Sequence, residues 1–147
     1  MDPAEFWRQT SEKRGGEISF RTFAAFLGRS GEKLLGLPGL LYVVGDNVWF
    51  EDFEHDNWLA KIVSGNREFK KTELSFAKSE VTFAHVVSRG SAYRCIAGRV
   101  PPDKLPLLTP RGRLFLSVAV QVGLRDGSSL FFEVINREPF LAMFARG

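Results

Sequence analysis

The side chains best suited to chemistry in this chain are two histidines, His55 and His85, and the single Cys95. Nucleophilic catalysis would need one of these groups beside a base that a third group orients. His85 alternates with apolar neighbours, which is typical of a partly buried histidine with a hydrogen-bond partner, and only Arg94 beside Cys95 would favour a thiolate. A pair of His85 and Cys95 across neighbouring strands stays open. We expect both residues to be structural and the protein not to be an enzyme.

A metal site could use Glu51, Glu54, His55 and Asp56, which offer oxygen and imidazole ligands within one short segment. Their spacing matches no established metal-binding loop, and alternation along a strand sends Glu51 and Asp52 to opposite faces. A single cysteine forms neither an intramolecular disulfide nor a zinc cluster. The sequence therefore predicts a solvated acidic turn, no metal and no cofactor.

Basic residues are concentrated between residues 89 and 113, where six lysines and arginines accompany one acid, Asp103. The acidic run from Asp46 to Asp56 lies elsewhere, so we expect a molecule with two oppositely charged ends. Charge runs are usually solvated faces, but a basic surface also steers an acidic partner. The candidate binding residues are Arg89, Tyr93, Arg94, Arg99, Lys104, Arg111 and Arg113.

Arginines interleaved with Tyr93 could also bind single-stranded nucleic acid, which requires a positive groove and exposed stacking rings. Most phenylalanines instead fall at alternating positions that serve the core of a sheet. We therefore rank nucleic acid below a protein or peptide partner.

The longest apolar run, Leu37 to Val44, contains Pro38 and Gly39 and is far shorter than the ~20 residues of a membrane-spanning helix. No transmembrane segment is expected. The N-terminus lacks the basic and apolar blocks of a secretory signal, although an earlier removal of such a signal stays open. These features predict a cytoplasmic protein. The same prediction includes a cytoplasmic protein that attaches peripherally to a membrane surface.

Hydrophobic periodicity predicts many strands between two terminal helices. Pro3 suits the start of a helix over residues 2–14, and Gly15 with Gly16 ends it. Two hairpins stand out, at 40–53 around Gly45-Asp46-Asn47 and at 114–135 around an Asp-Gly turn. Further strands are predicted at 18–27 (with helix as the alternative for 22–27), 58–63, 67–76, 81–87 and 91–97. Residues 98–110 form the long loop, and Asn136 begins the final helix.

These elements predict a mainly β fold, with two curved antiparallel sheets or a partly open barrel that a C-terminal helix at 137–146 closes. Residues 1–147 are expected to form one domain, in which the helix at 2–14 is appended to a β domain at 18–146. Phe131 and Phe132 point to opposite faces of their strand. Both faces of the sheet therefore need a cover, which is the helix at 2–14 or a partner.

The order of elements resembles the pleckstrin-homology (PH) superfold, and in particular its GRAM-like variants. The resemblance covers residues 33–146 and rests on Gly39 to Phe50, a strand, turn and second strand, and on Val118 to Phe132, which precede the helix from Glu138 to Ala145. The chain has no tryptophan in that helix and no dense basic motif between the first strands. The resemblance implies a binding module for lipid headgroups, peptides or other proteins.

We therefore expect a non-enzymatic interaction module that binds a protein, a peptide or an anionic lipid surface. The basic segment would steer the partner, and a hydrophobic sheet face or an edge strand would hold it. The alternatives are a small-molecule-binding barrel or an enzyme with an internal pocket near His85, and a single-strand nucleic-acid binder. Self-association into a homo-oligomer is left open.

Overall fold

The computed structural model describes residues 3–52, 73–109, 111–112 and 117–145. Its strands are β1 (Ile18–Arg29), β2 (Leu37–Val44), β3 (Asn47–Asp52), β4 (Glu73–Ala77), β5 (Val81–Ser88), β6 (Val118–Leu124) and β7 (Ser129–Val134). Its helices are α1 (Pro3–Arg14), α2 (Arg89–Ile96) and α3 (Arg137–Ala142), with single 3-10 turns at Lys78–Glu80 and Pro102–Lys104. The strands form one antiparallel sheet in the order β4-β3-β2-β1-β7-β6-β5. The prediction of a mainly β fold is confirmed.

Strand β1 joins the two halves of the sheet. Its first part pairs with β2 and its last part with β7, and Ala24 to Phe26 pair with both neighbours. The register with β7 shifts between Phe26 and Gly28, and Gly28 adopts a φ of 149° that side chains rarely tolerate. The strand prediction for 18–27 is thus confirmed over its helical alternative, and the strand continues to Arg29.

The sheet curls so that its two halves share an inner core. Leu41, Val48, Phe50 and Phe76 come from β2, β3 and β4, whereas Val120, Val122, Leu130 and Phe132 come from β6 and β7. The rings of Phe50 and Phe132 approach within 5.9 Å across the interior. Phe140 of α3 is buried in the same core, with its ring 6.5 Å from Phe132. The C-terminal helix therefore plugs a curved, open sheet.

A second apolar cluster, the outer core, lies on the opposite side of the sheet under α2. Its buried members are Leu27, Val87, Ala92, Cys95, Ile96, Leu105, Ala119 and Phe131. Phe131 belongs to the outer core and Phe132 to the inner core. The opposite orientation of these two rings, expected from the sequence, is confirmed.

Helix α2 replaces the strand predicted at 91–97, so that prediction is wrong. The Ser88 hydroxyl accepts a hydrogen bond from the backbone N–H of Ser91 at 3.0 Å and begins the helix. Ala92, Cys95 and Ile96 are buried at helical spacing. Gly98 follows the helix with a φ of 79°, and its N–H donates to the Cys95 carbonyl at 3.0 Å.

Other predicted boundaries are corrected locally. The helix predicted at 2–14 is confirmed as α1, and the two hairpins are confirmed as β2–β3 and β6–β7, although β6 extends to Leu124. Helix α3 ends at Ala142 rather than at residue 146. Val81 lies in the inner core and Val87 in the outer core, because the register of β5 shifts between Val81 and Phe83 and so interrupts the alternation along the strand. The strand at 58–63 and residues 67–72 lie outside the described residues.

Candidate functional site

Helix α1 is anchored to the sheet by Arg14, whose side chain is only 9% exposed. Its guanidinium carbon lies 3.6 Å from the centre of the Trp49 ring, and its Nε donates to the Tyr42 hydroxyl at 3.0 Å. Its Nη2 lies 2.7 Å from Glu73 Oε1 on β4. The Tyr42 hydroxyl donates to Glu51, and burial together with this bond raises the pKa of Tyr42 well above its usual value. We call this group the arginine anchor.

The arginine anchor changes the interpretation of the acidic run. Glu51 and Asp52 are buried, and Glu51 Oε2 lies 3.6 Å from Arg14 Nη2. The solvated turn predicted here is therefore wrong for these two residues, while Glu54, His55 and Asp56 lie outside the described residues. Among the residues that the structure describes, no group of three His, Cys, Asp or Glu side chains could hold a metal ion.

His85 belongs to a part-buried hydrogen-bonded network that begins across the β5–β6 pair. Its Nε2 lies 2.7 Å from Gln121 Oε1, while Gln121 Nε2 donates to the Pro102 carbonyl and to the Ser129 hydroxyl at 2.8 and 3.0 Å. The Phe83 ring stacks on the imidazole at 4.7 Å. Burial lowers the pKa of His85, and the bond to Gln121 opposes part of that effect. These contacts favour the structural role expected for His85.

Cys95 lies on α2 rather than on a strand next to His85, so the two residues are not cross-strand neighbours. Its thiol is buried in the outer core, and burial raises its pKa. A raised pKa reduces the thiolate fraction, which is the opposite of what a nucleophilic cysteine needs.

The basic residues predicted to bind a partner lie on α2 and on the connection that leads to β6. Arg94, Arg99, Lys104 and Arg111 are exposed, and Tyr93 on the same helix is 38% exposed. Arg89 is instead engaged, with its Nε 2.7 Å from Glu133 Oε1 on β7. Arg113 lies outside the described residues.

The loop between β1 and β2 lies beside the end of α2. The Gly31 N–H donates to the Cys95 carbonyl at 3.1 Å, and the Arg99 N–H donates to the Arg94 carbonyl at 2.9 Å. The loop presents exposed Lys33, Leu34 and Leu35, with Leu34 52% exposed. We call Lys33, Leu34, Leu35, Arg94 and Arg99 the loop surface. Sequence reasoning missed its leucines, although two adjacent leucines between Gly31 and Gly36 were a signal.

An apolar cleft of about 430 Å³ crosses the outer face of the sheet between α1 and α2. Residues of β1 that face outward locate the cleft. The Arg21 guanidinium lies 4.9 Å from the Trp7 ring of α1, and Leu27 lies under α2. Phe23, which lines the cleft, falls between these two positions. Phe23 is 61% and Ile135 76% exposed, and the Ile135 N–H donates to the Phe23 carbonyl at 3.1 Å. The hydrophobic sheet face expected from the sequence is thus present, and α1 covers only part of it.

Comparisons with known proteins bear on the fold alone. No protein-family model and no curated protein matches the chain. A solved structure, described as the C-terminal domain of an unknown protein from Leishmania infantum, is similar with a TM-score of 0.51 and 11% sequence identity. The alignment covers 95% of this chain and 90% of that chain. In the described part of the chain, none of the helices is long and apolar enough to cross a bilayer.

Proposed function

We propose that the chain is a non-enzymatic, PH-like module of the GRAM-like kind that binds an anionic lipid surface through the loop surface. The observation that carries the proposal is that exposed leucines and exposed arginines belong to two segments in contact. Leu34 and Leu35 lie on the loop whose Gly31 N–H donates to the Cys95 carbonyl of α2. Arg94 on that helix and Arg99 just after it are exposed. The strand order and the helix plugged into a curled sheet support the PH-like assignment.

Two kinds of interaction would add up at such a surface. A cation near an anionic bilayer gains about 1 kcal/mol, and a leucine side chain that leaves water completely gains about 1.5–3 kcal/mol. Lys33, Arg94 and Arg99 supply the first term and Leu34 with Leu35 the second. Together these terms support reversible binding at low salt, which weakens as ionic strength rises.

The contacts of half-buried His85 support a binding module rather than an enzyme. Gln121 and the Phe83 ring occupy the contacts that a substrate near His85 would need. Single-strand nucleic-acid binding needs several exposed rings along a groove, and Tyr93 is the ring that α2 presents beside the arginines. Both alternatives therefore rank below surface binding.

Vesicle co-sedimentation tests the proposal. We expect the chain to bind vesicles that contain phosphatidylserine and phosphatidylcholine, and to bind pure phosphatidylcholine far less. The double variant R94E/R99E should weaken binding by about tenfold or more, because four units of charge change at the surface. The matched control R8E/R125E makes the same change in net charge elsewhere and should stay within about twofold.

An equal loss of binding in both double variants would show a general charge effect and contradict the assigned surface. Absence of binding to phosphatidylserine vesicles at low salt would overturn the proposed function itself. The variant L34S separates the apolar contribution, because we expect it to lower binding even where salt screens the arginines.

A second candidate function, binding of a protein segment, is favoured by the apolar cleft, which shares no residue with the loop surface.

A further inference from the structure

We infer that the apolar cleft is a binding site for an acidic amphipathic helix of a partner protein. This inference concerns a site separate from the loop surface and does not depend on lipid binding. It rests on the exposed side chains of the cleft, on its charged groups and on its width.

The floor of the cleft exposes apolar side chains that a soluble surface normally covers. Phe23 and Ile135 are joined by a backbone hydrogen bond, so their exposed side chains belong to one patch, which Ala25 and Pro38 extend. Contiguous exposed apolar patches mark interaction sites. On the same face, α1 and α2 already cover the positions to either side along β1.

Two charged residues line the cleft, Glu133 and Arg137. Arg89 neutralises Glu133 at 2.7 Å, whereas Arg137 lines the cleft with only a 3.9 Å ion pair to Glu138, too long for a hydrogen bond. The Nε of Arg137 is buried, and within the described residues it has no hydrogen-bond partner. A buried donor without an acceptor is costly, and a carboxylate is the acceptor that binds a guanidinium best. The partner therefore carries an acidic residue beside its apolar ones.

The width of the cleft fits one helix. Its lining residues come from four adjacent strands: Pro38 on β2, Phe23 on β1, Val134 on β7 and Val118 on β6. Along β1, Arg21 under α1 and Leu27 under α2 are six residues apart, which is about 20 Å at about 3.3 Å per residue, and packed helices lie about 8–10 Å from each other. An α-helix with its side chains is about 10–12 Å across. A partner helix would lie between α1 and α2 as a third helix on the outer face.

Fluorescence anisotropy with designed peptides tests this inference on the full chain. The probe is a fluorescein-labelled 16-residue helix of leucine, alanine and glutamate, with leucines at i, i+3, i+4 and i+7. Its twin carries lysine in place of glutamate. We expect the glutamate peptide to bind about tenfold or more tightly than the lysine twin, because only a carboxylate can pair with Arg137.

Two variants locate the binding. F23S and R137Q should each weaken binding of the glutamate peptide by about tenfold, whereas R125Q, which removes an exposed arginine at the β6–β7 turn, should leave it unchanged. Circular dichroism checks that each variant folds, and I135S replaces F23S if that variant does not.

The inference is overturned if the lysine twin binds equally well, or if R137Q binds the glutamate peptide like the unaltered chain. It is also overturned if F23S abolishes binding to phosphatidylserine vesicles and leaves peptide binding intact, since the cleft would then be a lipid site. Because R94E/R99E should retain peptide binding, failure of this inference and failure of the proposed function give different results.

Discussion

At the scale of single residues, Gln121 determines which ring nitrogen of His85 carries a hydrogen. The amide nitrogen of Gln121 donates to the Pro102 carbonyl and the Ser129 hydroxyl, so its oxygen faces His85 Nε2. His85 Nε2 must therefore carry a hydrogen, because the Gln121 oxygen can only accept one. The neutral imidazole with its proton on Nε2 meets this requirement without bringing a charge into the sheet.

The pH dependence of stability should report this arrangement. The pKa of His85 in the folded chain lies below its ordinary value of 6.5, so near and below that pH the unfolded chain binds more protons. His85 should therefore contribute stability above pH 6.5 that is lost as the pH falls towards the folded pKa. Urea unfolding of the unaltered chain and of H85Q between pH 7.5 and 5 measures it, and an equal slope for both proteins would contradict the prediction.

At the scale of elements, the arginine anchor ties α1 to three strands, while Trp7 packs on Tyr42 and Arg21. Thr10 is its buried residue, and Phe6 and Trp7 are half-buried. Arg14 contacts side chains of β2, β3 and β4 at once. The C-terminal end of α1 is thus attached through one polar side chain.

Replacement of Arg14 should release that end of α1. We expect R14Q to lower the free energy of unfolding by about 2 kcal/mol. The substitution removes the cation–π contact with Trp49 and the positive charge that lies next to buried Glu51. R8Q, which removes an exposed i,i+4 pair with Glu12, should cost about 0.5 kcal/mol or less. Urea unfolding monitored by tryptophan fluorescence compares the two, and similar losses would show that Arg14 is not the anchor.

Helix α2 shows where local sequence signals compete. Ser88 and Gly98 are a helix start and stop, and Ala92, Cys95 and Ile96 have helical spacing. Gly90 and the short length of the segment weakened that signal, and Tyr93 and Ile96 favour strands by propensity. The packing of α2 on Leu27, Val87 and Phe131 decides the outcome, and those residues are remote in the sequence.

At the scale of the whole molecule, Phe140 connects the closing helix to both halves of the sheet. Its ring lies 6.3 Å from Phe20 on β1 and 6.5 Å from Phe132 on β7. The inner core therefore depends on a residue from the last element of the chain.

Truncation of Phe140 should destabilise the entire fold. F140A is expected to lower the free energy of unfolding by about 3–5 kcal/mol, because it leaves a cavity in the inner core. I135A removes apolar atoms from a side chain that is 76% exposed and serves as the control. Thermal unfolding distinguishes them, and a loss for F140A no larger than that for I135A would mean that α3 does not plug the sheet.

Local pairing was predictable from the sequence, and closure was not. The β2–β3 and β6–β7 hairpins follow from strand patterns and turn residues a few positions apart. The β1–β7 pairing joins Ala24 to Val134, and nothing near either residue indicates the other. The candidate sites follow the same division. The basic residues of α2 could be predicted from the sequence. The position of the loop with Leu34 next to α2, and of Arg137 in one cleft with Phe23, results from the closure of the sheet and could not be predicted.

The shared strand β1 also orders the assembly of the chain in time. Its edge towards β2 can pair as soon as Leu37–Val44 leaves the ribosome. Its edge towards β7 waits for Ser129–Val134, about 90 residues later at a synthesis rate of about 5–20 residues per second. For several seconds Ala24 to Arg29 form an open edge, which another nascent chain can pair with. When β7 arrives it covers that edge, and the outermost strands of the described sheet are then β4 and β5.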